Sequence, residues 1–140
     1  MGKPQLHVYV AGAWSEQMTR AKPAMSALRK AGIVVTHDWT LPGEADLTVR
    51  PEKTEQTLSA HQRRGYALAD LRGVRQADLV WLVVPPREAY GAGCFFEAGA
   101  ALVLGIPLFV SGPEWRRSIF CELAAMKFET DAEALAAIVG

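Results

Sequence analysis

Glu97 stands inside an otherwise apolar and small stretch, GAGCFFEAGAALVLGIPLFV, at residues 91–110. A carboxylate costs free energy wherever the chain is buried, so its presence there asks for a reason. Gly91 and Gly93 precede it, and glycine lets backbone approach a ligand where a side chain would collide. If a helix starts near Gly93, Glu97 falls in its first turn or just beyond. Free backbone N–H groups and the helix dipole there favour an ionised carboxylate. An anionic carboxylate at a ligand-binding edge is suited to attack an electrophilic carbon, such as the C1′ of a sugar. The plainer alternative is a glutamate that interacts only with its own helix terminus, with the glycines forming a turn.

Other residues have two readings each. Asp70, in ALADLRG, is either a proton-handling carboxylate or a helix-face charge paired with Arg72 or Arg75. Tyr9 alternates within an apolar run and reads first as a half-buried core tyrosine. Trp14 and Trp39 follow apolar runs; each is a packing residue or a platform for a nucleobase. HQRR at 61–64 reads as a solvated helix face, with phosphate binding as the lesser reading. His7 and His37 suggest no triad, because no serine lies in a nucleophile-elbow pattern. GAGCFF begins like a dinucleotide fingerprint, with Glu114 beyond it, but Phe96 stands where the third glycine should be.

The elements that must position these residues follow from periodicity. LHVYVAG (6–12) and IVVTHDW (33–39) read as strands, and DLVWLVVPP (78–86) as a buried central strand stopped by a double proline. IPLFVSG reads as another strand, and the tail holds AMKFET. Between them lie helical patterns: one capped by Ser15 and closed by Gly32, with Pro23 delaying or kinking it; one running from Thr54 to Ala77; one over about 93–104; and DAEALAAIV, started by Thr130 or Asp131. Residues 40–54 are polar, carry two prolines and read as a loop. Alternating strands and helices predict a single α/β domain over 1–140: a parallel sheet of about five strands with helices on both faces, flavodoxin- or Rossmann-like. Ligands in such folds bind beyond the carboxyl ends of the strands. The candidate lining there is Tyr9, Ala11, Gly12, Trp14, Asp38, Trp39, Gly91 and Gly93, with Glu97 and Asp70 on the adjoining helices.

Composition removes several function classes. Half of the 140 residues are hydrophobic, which supports a core, and 15 basic residues balance 15 acidic ones. Without a basic stripe, a polymeric nucleic-acid partner is not expected. Nothing resembles a signal peptide, and the apolar stretches fall short of the roughly 18 residues that span a bilayer. Cys94 and Cys121 read as reduced, buried thiols, and with no clustered His or Asp they make a poor metal site. A cytoplasmic domain with no metal or cofactor is expected.

Three segments together carry a family likeness: VYVAGAW (8–14), DLRGVRQADLVWLVV (70–84) and GAGCFFEAGAALVLGIPL (91–108). In order and spacing they resemble the nucleoside 2-deoxyribosyltransferase family and its relatives, the nucleoside 5′-monophosphate N-glycosidases. The resemblance implies that Glu97 is the nucleophile and forms a glycosyl-enzyme intermediate. It implies that Asp70 assists the leaving base and that Tyr9 hydrogen-bonds Glu97. A homodimer or higher homo-oligomer is implied as well.

The chain also departs from the pattern. Gly91 stands where transferases carry an aspartate six residues before the nucleophile, and the C-terminal LAAIVG lacks their polar residues. The loop AGAWSEQMTR offers only Ser15, Thr19 and Arg20 for a phosphate, where the monophosphate hydrolases have a serine- and arginine-rich loop. Transfer and hydrolysis therefore both stay open, as do base, ribose or deoxyribose, and the need for a phosphate. The rival readings are a non-catalytic module binding a nucleotide or ADP-ribose-like ligand, and an NAD-cleaving glycosidase.

Overall fold

Strand β3, Leu79–Val83, is buried along its whole length, as its unbroken apolar run requires. On one side it pairs with β1, His7–Ala11, and on the other with β4, Leu108–Ser111. Outside these lie β2, Val34–Val35, against β1, and β5, Met126–Phe128, against β4. All four pairings are parallel and the order is β2-β1-β3-β4-β5, the expected flavodoxin-like α/β sheet. The computed structural model describes residues 4–13, 20–41, 58–89 and 91–140.

Among the described residues, four α-helices complete the layers: α1 (Ala21–Lys30), α2 (Ala60–Arg75), α3 (Ala92–Leu104) and α4 (Asp131–Val139). Helix α1 packs beside α4, and α2 beside α3. Tyr9 faces the α2–α3 layer, so its strand neighbours Val8 and Val10 point to the other face. The strand order reverses direction between β1 and β3, and this is the switch point where open α/β sheets bind ligands.

Several boundaries move for identifiable reasons. The strand expected over 33–39 shrinks to Val34–Val35: the Thr36 N–H still reaches the Val8 carbonyl, and the chain then turns at Asp38–Leu41. Thr36 Oγ1 donates to the Gly73 carbonyl, and Asp38 accepts from the Thr40 backbone and hydroxyl. Helix α2 begins at Ala60, set by a capping box in which Ser59 and Gln62 satisfy each other's backbone N–H. In α1, Pro23 is the third residue, where its missing N–H breaks no helical bond. The Ser15 cap expected there lies outside the described residues. Thr130 caps α4 as anticipated. Two short 3₁₀ turns, Trp115–Arg117 and Ile119–Leu123, link β4 to β5.

At the carboxyl edge of the sheet, Arg20 ties the two ends of the fold together. Its guanidinium makes a forked pair with Asp131 at 2.7 and 2.8 Å and donates to the carbonyls of Val84 and Ser111. Buried Ser111 accepts from Trp81 and donates to Asp131. Burial pushes the Asp131 carboxyl up, but the hydrogen bonds from Arg20 and Ser111 and the Arg20 charge outweigh it and hold it below its ordinary value. The stability from this network is therefore complete above the ordinary carboxylate range and is lost as pH falls through the lowered value. Asp131→Asn is expected to cost about 2 kcal/mol at neutral pH. It should also flatten the acid limb of a stability-versus-pH curve from urea melts; an unchanged limb would contradict the assignment.

Candidate active site

Glu97 is the sixth residue of α3, in its second turn, and it is buried. The helix opens at Ala92 with Gly91 as its cap, so Glu97 lies past the unpaired N–H groups expected to hold it. Its described partner comes from the sheet instead. The Tyr9 hydroxyl donates to Glu97 Oε2, so a strand residue and a helix residue 88 positions apart meet under the α2–α3 layer. Tyr9 is fully buried rather than half-buried. Its hydroxyl and the Glu97 carboxylate each satisfy a group that would otherwise be costly to bury.

Why α2 lies so close to this pair is visible at Gly73. A Cβ on Gly73 would stand 2.8 Å from the Tyr9 ring and 2.8 Å from His37 Cβ, distances no real Cβ tolerates. The missing side chain lets α2 rest on both residues. One turn earlier on α2, Asp70 Oδ1 is 3.3 Å from His37 Nε2, with both side chains largely shielded. The sequence places His37 after a strand and shows no triad for it, but it does not reveal this contact with Asp70. The two lie 33 positions apart, and no local pattern announces a partner at that separation.

Asp70 and Glu97 line one cavity of about 580 Å³ between α2 and α3. Leu58, Tyr66, Gly93 and Phe96 contribute apolar surface, and Arg63 and Arg64 add positive charge. The volume lies within the range of small-molecule sites. Two carboxylates, one beside an imidazole and one beside a phenol, can divide acid–base and nucleophilic work between them.

The remaining expected residues take other places. Gly93 lines the cavity. Gly91 does not; a Cβ there would meet the Pro85 ring at 2.7 Å, so this glycine serves close packing. Ala11 is buried at the end of β1, and Gly12 rests against Ala21 and the Trp39 ring. Trp39 is buried, with its indole N–H donating to the Val10 carbonyl, so it packs within the fold. Asp38 is held by Thr40 and by Arg29 at 2.8 Å. Burial pushes its carboxyl up, but those bonds outweigh it and leave it below the ordinary range. Trp14, Ser15 and Thr19 lie outside the described residues. Arg20, suggested for a phosphate, is committed to Asp131.

Cys94 sits one turn before Glu97 and donates its thiol to the Gly91 carbonyl at 2.9 Å. Burial first and the Glu97 charge second push this thiol up to about 12, so it stays protonated and is no competing nucleophile. Neither cysteine forms a disulfide, as expected.

A comparison with protein families decides which one this chain belongs to. The model of the nucleoside 2-deoxyribosyltransferases matches residues 8–135. The chain belongs to the nucleoside 2-deoxyribosyltransferase family. The match runs from β1 into α4 and so takes in Tyr9, Asp70 and Glu97. Membership supports nucleoside glycosyl transfer in general and a small-molecule nucleoside partner. No curated protein matches the sequence significantly. Among the described residues, no helix is long and apolar enough to cross a membrane.

Proposed function

We propose that the protein cleaves the N-glycosidic bond of a nucleoside or nucleotide through Glu97. The observation that carries this reading is the buried Glu97 carboxylate, held by Tyr9 and lining one cavity with Asp70. A Glu97 oxygen bonds to C1′ while the C1′–N bond breaks and its electron pair leaves with the base. Asp70, set beside His37, delivers or directs the proton that the departing nitrogen takes up. Tyr9 fixes Glu97 for the attack. In the second step a water or another base attacks C1′, expels Glu97 and gives up a proton. Two displacements on one carbon retain its configuration, as in retaining glycosidases.

The test is base release from a panel of nucleosides, 5′-monophosphates and NAD, run with and without an added free base. Release by the wild type that disappears in Glu97→Gln supports the reading, and the acceptor lanes separate transfer from hydrolysis. A folded wild type that binds these compounds but releases no base would favour the non-catalytic binding module.

We further propose that the chain works as a homodimer through the outer face of α3. Phe96 and Val103 are 78% and 88% exposed there, with Phe120 and Leu123 beside them. Gly99 and Ala100, between the two large side chains, let another helix come close. Apolar patches of this kind are uncommon on monomers. Phe96 lines both this face and the reaction cavity, so a second copy would also wall the site. Sedimentation should show a dimer in the wild type and a monomer in Val103→Glu; a monomeric wild type would contradict the assignment.

A further inference from the structure

The cavity that holds Asp70 and Glu97 is electrically lopsided. Besides the two carboxylates it is lined by Arg63 and Arg64, on the opening turns of α2. Among the described residues, no acidic side chain pairs with either. Their placement also works against the helix that carries them. The first turn of α2 holds no acidic residue, and cations near a helix start are opposed by its dipole. Local stability alone would therefore favour other residues at these positions.

Distance makes the arrangement selective. Arg63 precedes Asp70 by seven residues, two turns of one helix, or about 10 Å along its axis. A ligand filling the cavity thus meets carboxylates at one end and guanidinium groups at the other. The substrate that matches carries its reacting carbon and an anionic group on opposite sides of one small body. Guanidinium forks suit the oxygens of a phosphate in particular. Arg20, the arginine nearest the first loop, is already engaged by Asp131 and two carbonyls.

We propose that Arg63 and Arg64 form a phosphate subsite, and that the substrate is a nucleoside 5′-phosphate rather than a free nucleoside. This rests on the reading of Glu97 as the nucleophile in the same cavity. The subsite makes the 5′-phosphate a handle that draws the sugar into register with Glu97. A monophosphate and the sugar-proximal phosphate of a dinucleotide present the same chemistry to it.

Two measurements test the proposal on the full chain. First, kcat/KM is compared for a nucleoside, its 5′-monophosphate and NAD in wild type, Arg63→Ala/Arg64→Ala and Arg63→Lys/Arg64→Lys. The wild type should prefer one phosphorylated substrate by about 30-fold or more. That preference should collapse in the alanine variant, through KM, and partly return with lysine. The arm that carries the preference identifies the monophosphate or the dinucleotide as its source. Second, calorimetry measures binding of the nucleoside and its 5′-monophosphate to Glu97→Gln, with and without the arginine substitutions. Phosphate-dependent binding that is lost with the arginines, in a chain whose wild type releases no base, would keep the subsite and discard the glycosidase reading. Equal affinity for the phosphorylated and free nucleoside, or phosphate preference that survives both alanines, would overturn the proposal.

Discussion

Replacing Glu97 by glutamine is expected to lower base release by about 10⁴-fold or more while leaving the fold in place. The two halves of that expectation have separate causes. An amide cannot displace a base from C1′, so the first chemical step has no nucleophile. Its carbonyl oxygen can still accept the hydrogen bond from the buried Tyr9 hydroxyl, so the packing around it survives. Glu97→Ala should lose as much activity, and the orphaned Tyr9 hydroxyl should cost about 1–3 kcal/mol besides. Running both variants through thermal melts and base-release assays therefore separates chemistry from stability. A merely structural Glu97 would show the reverse pattern, with a lowered melting temperature in the alanine variant and retained turnover in the glutamine one.

A second large effect is expected at a residue with no functional group at all. Gly73→Ala adds one methyl group that must stand within 2.8 Å of the Tyr9 ring and of His37 Cβ. Neither can yield easily, since Tyr9 is fully buried and bonded to Glu97. The helix must lift instead, at a cost of about 1–3 kcal/mol. The lift also separates α2, with Asp70, from β1 and His37. A misplacement of about 1 Å at a reacting centre can cost about 10²-fold in rate. Gly65 supplies the control, because it lies on the same helix and an added Cβ there meets nothing within 4 Å. Gly65→Ala should gain up to about 1 kcal/mol from better helix propensity. Equal effects of the two substitutions in melts and turnover would show that Gly73 holds no special contact.

How far these features could be read from the sequence depends on whether their cause is local. Strand β3 is an apolar run that nothing but a buried central strand explains, and α4 announces itself by Thr130 and Glu133. Alternation of the two element types was enough for the parallel α/β sheet. What anchors the end of β2 was hidden, because Thr36 reaches the Gly73 carbonyl, 37 positions away. The same holds for the site. Glu97 is conspicuous because it is the one charge in an apolar stretch, but its holder, Tyr9, looks like any strand tyrosine until the fold closes. His37 and Asp70 meet because Gly73 lets α2 settle onto Tyr9 and His37. Helix α2 buries just Tyr66, Gly73 and Val74, too few to fix its rotation from hydrophobic pattern alone. HQRR therefore read as a solvated face, although the structure turns Arg63 and Arg64 to the cavity. Trp39 had two readings, packing residue or platform, and its buried indole bonded to the Val10 carbonyl fits the packing one.

A covalent bond between Glu97 and C1′ adds mass to the protein and can be weighed directly. Wild type and Glu97→Gln would be mixed with a substrate whose 2′-fluorine slows the second step, quenched, and measured as intact proteins by mass spectrometry. The wild type should yield a species heavier by one glycosyl group, located on the peptide that contains Glu97, and the variant none. A wild type that releases base without gaining mass on that peptide would contradict the covalent bond.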